Sequence, residues 1–243
     1  MVCWKPAARP SRERREERGT DVSDGRPTYG GVPIGDFVVV CASSLEDFQT
    51  DDLRIVTLGV GKTAAAMHLT ALLRGATEAR GVLLFGVAGA FPSRHRTNPA
   101  PVRRGGLCIV GSDRFGDEGV ETPGGFQDLQ ALKIGDGGPF PANPRMAQQA
   151  AALLEIPLVR GVTVSTCSGT DASSSRMWRR CGADIETMEG AAVAYVCRQF
   201  EVPLLHVRAI SNWTGDRDRG DWNLGIAVDA VQQAVRRLAR GGP

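Results

Sequence analysis

No apolar run in this 243-residue chain approaches the ~20 residues that a helix needs to cross a bilayer. Charge of one sign is not in excess either. Its 29 basic groups face 27 acidic ones, and a net charge of +2 creates no field suited to a nucleic-acid partner. The six cysteines (Cys3, Cys41, Cys108, Cys167, Cys181, Cys197) form no Cys-x-x-Cys pair, and several lie in apolar runs where a thiol behaves as a small hydrophobe. That excludes a zinc framework or a disulfide scaffold and makes a reducing cytoplasm the expected compartment. The three histidines (His68, His95, His206) share no ligand spacing, so each is read as a packing or surface residue. No metal or organic cofactor is expected. What remains, 42% hydrophobic and 23% charged in 25.9 kDa, suits one globular domain with a sizeable core.

Residues 1–33 differ in texture from the rest. Arg12-Glu13-Arg14-Arg15-Glu16-Glu17-Arg18 mixes both signs among Pro and Gly, with no apolar h-region and too many glutamates for an organelle address. This segment is expected to be a disordered extension or the product of a misplaced start codon, with the domain running over 34–243.

From Phe37 onward, short apolar runs alternate with helical patterns. Expected strands are 37–42, 53–59, 82–87, 107–110, 162–165, 183–187 and 204–210. Expected helices are 63–74, 144–154, 171–180, 189–200 and 221–240. The last carries Leu224, Ala227, Val228, Val231, Ala234, Val235 and Leu238 at three- and four-residue steps. Such alternation predicts an α/β fold with a largely parallel central sheet. Between Pro92 and Pro144 the pattern gives way to Gly, Pro and Asp, read as long surface loops that serve as lids or subunit contacts.

Gly59-Val60-Gly61-Lys62-Thr63 imitates a phosphate-binding P-loop. The P-loop needs a glycine five residues before Gly61, where Val56 stands, so triphosphate hydrolysis is a poor reading. A glycine-rich turn with free backbone N–H groups at a helix start is still there, able to line a polar pocket or simply to turn the chain.

Charged and amide groups then close apolar elements near the C-terminus: Glu186-Thr187-Met188-Glu189-Gly190-Ala191-Ala192, and Arg208-Ala209-Ile210-Ser211-Asn212 ahead of Gly215-Asp216-Arg217-Asp218-Arg219. Polar residues at such positions sit where a parallel sheet opens its C-terminal edge to ligands. Together with Gly59-Val60-Gly61-Lys62, the Gly86–Phe91 run, the Gly119–Phe126 loop and Val164-Ser165-Thr166, these motifs stand in the order of the nucleoside phosphorylase and nucleosidase superfamily. From about Phe37 onward the chain resembles that superfamily, and Asn212 with the Arg-Asp-Arg loop resembles futalosine hydrolases in particular.

The resemblance implies a single-domain three-layer α/β/α sandwich with a mixed, largely parallel sheet, assembled as a homo-oligomer. It also implies cleavage of an N-glycosidic bond through an oxocarbenium-like transition state. Glu189 would hold the ribose 2′- and 3′-hydroxyls, with Met188 as an apolar surface beside it, although a carboxylate in a helix's first turn can also be merely a cap. Asn212 replaces the aspartate of relatives that cleave adenine nucleosides. Its amide can donate to O6 and accept from a protonated N7, which points to a 6-oxopurine, although Asn also bonds its own loop backbone at strand ends. Val87, Gly89, Arg208 and Ser211 are further substrate-binding positions. Arg217, Arg219 and Trp222 would meet the benzoate-bearing 5′ chain of futalosine, or form a solvated loop. Phe126 would reach a pocket, its own or a neighbouring subunit's. Glu46, just after the first strand, is the candidate base that activates water, with Glu121 and Asp117 as fallbacks.

Three readings compete. Hydrolysis of a 6-oxopurine nucleoside fits Asn212 and the Arg-Asp-Arg loop. Phosphorolysis needs a basic phosphate site, for which Lys62, Arg94 and Arg96 are the available cations; methylthioadenosine/S-adenosylhomocysteine nucleosidase activity is a related alternative. A protein that binds nucleosides without catalysis is the third.

Overall fold

The alternation of β-branched runs with Ala-rich amphipathic stretches carries directly into the structure, a computed structural model that describes residues 26–76, 78–98, 101–216 and 223–241. A two-stranded ribbon, β1 (Thr28–Tyr29) and β2 (Val32–Pro33), leads into β3 (Phe37–Cys41), β4 (Ile55–Thr57), α1 (Lys62–Gly75) and β5 (Gly81–Ala90). Next come β6 (Leu107–Phe115), a hairpin of β7 (Gly119–Thr122) and β8 (Gly125–Asp128), and β9 (Phe140–Pro141). The chain continues through α2 (Pro144–Leu154), β10 (Leu158–Thr163), α3 (Asp171–Cys181) and β11 (Ile185–Thr187). It ends with α4 (Gly190–Gln199), β12 (Leu204–Trp213) and α5 (Leu224–Arg240).

The central sheet is ordered β11-β10-β6-β12-β5-β3-β4, with β9 beside β6. Pairings β3–β4, β3–β5, β5–β12, β6–β10 and β10–β11 are parallel; β6–β12, β6–β9 and β5–β11 are antiparallel. The β5–β11 pairing sets Glu186 opposite Gly89 and Ile185 opposite Ala90, closing that half of the sheet into a ring. Side chains alternate across the strands. Leu83 and Phe85 of β5 join Met146 and Leu154 of α2 and Val231 and Leu238 of α5, whereas Val82 and Leu84 join Leu69 and Leu73 of α1 and Val193 and Val196 of α4. Helices on both faces of a mixed sheet make the expected α/β/α sandwich.

Local chemistry accounts for the helix ends. The Asn143 side chain accepts from the Met146 N–H at 3.1 Å ahead of Pro144, the residue best suited to open α2. Thr170 and Ser173 form a capping box on α3, and Gly182 ends it in the left-handed region.

Two sequence expectations are corrected. Residues 28–33 are not part of an extension: β1 pairs with β2, Tyr29 is buried, and its hydroxyl donates to the Leu238 carbonyl at 2.9 Å. An aromatic ring has been docked against α5 there, and a charge-rich reading of the N-terminus overlooks it. Within the stretch 92–144, read as loops, β6 extends to Phe115 and residues 119–128 form the β7–β8 hairpin. Extension of β5 to Ala90 and of β12 to Trp213 matters most for the site. It brings Gly89 and Asn212 into register on neighbouring strands.

Candidate active site

Glu46 sits in the turn that leaves β3, and backbone amides hold its carboxylate. Oε2 accepts from the Ala42 and Ser43 N–H groups at 3.0 and 3.2 Å, and Oε1 from Val87 N–H at 2.9 Å. The turn is tied down from behind, since Gln232 of α5 donates to the Glu46 and Asp47 carbonyls and Phe48 meets Phe85 edge-on. Gly86 makes the approach possible. A Cβ there would lie 2.5 Å from both Glu46 Oε1 and Arg208 Nη1.

Arg208, on β12, is 1% exposed and has a guanidinium with a different neighbour on each side. Nε donates to His206 Nε2 at 2.7 Å, Nη1 to the Val87 carbonyl at 3.1 Å, and Nη2 lies 3.8 Å from Glu189 Oε2. That last distance is an ion pair without a hydrogen bond. Glu189 ends β11's connection to α4, and its Oε1 accepts the Gly61 N–H at 2.9 Å. The glycine turn that imitates a phosphate loop therefore presents its amide to a carboxylate of the chain itself. Burial raises the Glu189 pKa above the ordinary carboxylate value, opposed by Arg208 and by the Gly61 hydrogen bond.

Next to this cluster lies a cavity of about 650 Å³ whose lining includes Gly89, Glu186, Met188, Asn212, Ser168 and Arg94. A β-bulge between Ile210 and Asn212 shifts the β12 register so that Asn212 pairs with Gly89. Asn212 Oδ1 lies 2.8 Å from the Ser211 hydroxyl, and Nδ2 donates to the Trp213 carbonyl at 3.0 Å. The backbone bond foreseen for such an Asn is thus present, yet an amide has two donors and two lone pairs, so one of each is left for a ligand. Glu186 pairs with Gly89 from the opposite strand. Its carboxylate accepts from Ser168 N–H at 2.8 Å and Ser168 Oγ–H at 2.6 Å, and burial raises its pKa.

The structure thus gathers Glu46, Glu189 and Arg208 in one buried group, with the Val87 backbone bonded to Glu46 and Arg208, and sets Gly89, Met188 and Asn212 on the adjoining cavity, where the Ser211 hydroxyl meets Asn212 and the Ala88 carbonyl. Phe126 is not among the cavity's lining residues. On β8 its ring packs under the Arg180 guanidinium, 3.8 Å from the centroid. Arg217, Arg219 and Trp222 lie outside the described residues. The fallback carboxylates are engaged elsewhere, Asp117 with Lys62 and with Ser165 N–H, Glu121 with Arg180. Lys62, Arg94 and Arg96 are each paired with carboxylates: Asp117 and Glu118, Asp171, and Asp184.

Two features of this site were not singled out from the sequence, the Glu186 carboxylate and the contact of His206 with Arg208. A charge inside the apolar run Ile185-Glu186-Thr187 was the available signal for the first. His206 and Arg208, two apart on one strand and so on one face, were the signal for the last. Among the described residues no group of three or more His, Cys, Asp or Glu could hold a metal ion, and no helix is long and apolar enough to cross a membrane.

Comparison with known proteins gives the geometry its context. The phosphorylase superfamily profile matches residues 47–240. Futalosine hydrolase of Thermus thermophilus is 35% identical over 187 residues, 74% of this chain and 78% of that protein. The 5′-methylthioadenosine/S-adenosylhomocysteine nucleosidase of Glaesserella parasuis is 33% identical over 167 residues, covering 66% of this chain and 68% of the relative. Among solved structures, the nucleosidase of Neisseria meningitidis in complex with methylthio-immucillin-A superposes with a TM-score of 0.69 at 16% identity, over 84% of this chain and 98% of that one. A futalosine hydrolase mutant of Helicobacter pylori gives 0.65 at 17% identity, over 83% and 97%. With the family profile spanning most of the domain and a long relative above 30% identity, the chain belongs to the phosphorylase superfamily and is an enzyme of its glycosyl hydrolase branch.

Proposed function

We propose that this enzyme hydrolyses the N-glycosidic bond of a 6-oxopurine nucleoside, futalosine above all. The products would be hypoxanthine and dehypoxanthine futalosine, in menaquinone biosynthesis in the cytoplasm. One observation carries the base assignment: Gly89 is the register partner of both Asn212 and Glu186. Residues facing one partner from both sides point to the same face, about 10 Å apart between backbones. An absent side chain between them leaves a floor for a flat base. Asn212 offers a donor for O6 and an acceptor for N7–H; Glu186 offers only acceptors, suited to the N1–H that a 6-oxopurine has and a 6-aminopurine lacks.

In the reaction, water oxygen bonds to C1′ as the C1′–N9 electron pair leaves with the base. A water proton passes to a buried carboxylate, and the departing base gains a proton from solvent at its imidazole ring. Glu46 is the proposed acceptor of the water proton. Glu189, beside it, binds the ribose hydroxyls and favours the cationic ring. Phe126 and the 217–222 segment are proposed to complete the 5′ side in a homo-oligomer.

Phosphorolysis has less support, because each cation available for phosphate is already matched by a carboxylate and the Gly61 amide faces Glu189. The deciding assay follows hypoxanthine release from futalosine and from inosine, with and without phosphate. Release that needs no phosphate is expected; strict dependence on phosphate, or tight binding with no release, would overturn the assignment.

A further inference from the structure

Behind Arg208 lies a second polar layer that the reaction as described does not use. His206 is 1% exposed and Asp113 is 2% exposed. Arg208 donates from Nε to His206 Nε2, so that nitrogen is an acceptor and the imidazole proton resides on Nδ1. Nδ1 faces Asp113 Oδ2 at 4.0 Å. Asp113 Oδ1 in turn accepts from the Thr163 hydroxyl at 2.9 Å, and Thr163 Oγ1 accepts the Ala191 N–H at 2.7 Å in the first turn of α4. The chain of contacts begins at the start of the helix that follows Glu189 and returns, through Asp113, His206 and Arg208, to Glu189 itself.

The packing is built for this contact. A Cβ on Gly190 would lie 2.1 Å from Asp113 Oδ2 and 2.6 Å from His206 Cε1, and one on Gly161 would lie 2.7 Å from Asp113 Oδ2. Two glycines thus make room for a buried acid that a stable core alone would exclude. Four buried side-chain polar atoms lack a hydrogen-bond partner among the described residues, and Asp113 Oδ2 and Arg208 Nη2 are two of them. Native proteins leave few such atoms, and here one faces His206 and the other faces Glu189.

We infer that Asp113 and His206 form a positioning dyad that holds the Arg208 guanidinium in the one orientation from which Nη2 faces Glu189 while Nη1 donates to the Val87 carbonyl. A guanidinium is a rigid fork, and anchoring its Nε edge fixes where both Nη atoms point. Without His206 the fork can rotate about its stem, so that Nη2 leaves Glu189 and Nη1 leaves the Val87 backbone that also holds Glu46. The catalytic reading of those carboxylates is the one proposed above; the dyad's geometry stands independently of it.

Two measurements test this. With futalosine as substrate, His206→Leu is expected to lower kcat about 100-fold while KM changes less than about 3-fold, the signature of a displaced group and not of a lost contact. His206→Gln, whose side-chain oxygen can accept the Arg208 Nε–H, is expected to recover to within about 5-fold of the parent. Equal losses in the two variants, a loss confined to KM, or a folded His206→Leu protein with kcat within about 3-fold of the parent would overturn the dyad. The second measurement needs no substrate. NMR of ligand-free protein labelled in arginine should show one Nε–H that exchanges far more slowly than those of surface arginines and disappears in Arg208→Lys. If every arginine Nε–H exchanges at surface rates, the dyad is wrong even should catalysis fail to appear in the parent enzyme. A parent that releases no base while keeping the slow Nε–H would retire the catalytic assignment and leave the dyad standing.

Discussion

Glu189 and Asn212 belong to one site but to different surroundings. Around Glu189, a guanidinium that is 1% exposed faces the carboxylate, and backbone amides from two turns and from strand β5 hold Glu189 and Glu46 in place. Around Asn212, polar side chains border an open cavity of about 650 Å³ and keep hydrogen-bonding capacity in reserve. The first region is held by charge in a low-dielectric interior, where removing one partner leaves another charge stranded. The second is held by strand register, which places side chains without constraining what they bind. Substitution should therefore cost stability and turnover in the first and selectivity in the second.

The sharpest attempt to break that distinction is Arg208→Met. Stranding Glu189 without its cation should cost about 3–5 kcal/mol in urea unfolding and abolish turnover. A loss under about 1 kcal/mol would show the cluster to be loosely coupled. Glu189→Gln keeps the shape but removes the charge. Its kcat should fall about 10²–10³-fold, while hypoxanthine binding, proposed for the cavity, stays within about 3-fold. Parallel losses in both would merge the two regions into one.

Asp113 gives a pH test of the buried side. Burial pushes its pKa up to about 7, with Thr163, Arg208 and the Arg114 backbone pulling it down and Glu189 pushing further up. Between the ordinary carboxylate value and about 7, the folded protein holds a proton that the unfolded chain has released. Stability therefore falls as pH rises through that window. Burial, and then Arg208, lower the His206 pKa well below the ordinary imidazole value. Asp113→Asn should remove the slope, which integrates to the order of 2–4 kcal/mol between pH 4 and 8. An unchanged slope in urea titrations at these pH values would assign it to other groups. The smallest effect is expected on the open side. Asn212→Asp should shift the preference from 6-oxopurine toward 6-aminopurine nucleosides by about 10-fold, with folding stability within about 1 kcal/mol of the parent. Unaltered preference in competition assays would remove Asn212 from base selection.

How much of this could be read from the chain differed in the same way between the two regions. The strands and helices of the sandwich announced themselves by period, and Glu189 and Asn212 stand where apolar runs end, whereas Glu46 was suggested by the family resemblance alone. Pairing across the sheet did not. That Gly89 meets both Glu186 and Asn212 depends on a β-bulge and on an antiparallel return of β11 to β5, which no local pattern encodes. Tyr29 was hidden by the charged segment before it, although its ring packs edge-on to Phe37 in the core. His206 read as one more packing residue because Asp113 approaches it only where Gly190 and Gly161 leave space. Phe126 carried an aromatic expectation into a hairpin where the nearest cation, Arg180, claims it.

A crystal structure with hypoxanthine and ribose bound would test the division of the site most directly. The account predicts the purine lying over Gly89 with O6 and N7 on the Asn212 amide and N1 toward Glu186, and the ribose hydroxyls on Glu189. A base seated elsewhere in the cavity, with the Asn212 amide still bonded only to Ser211 and Trp213, would contradict it.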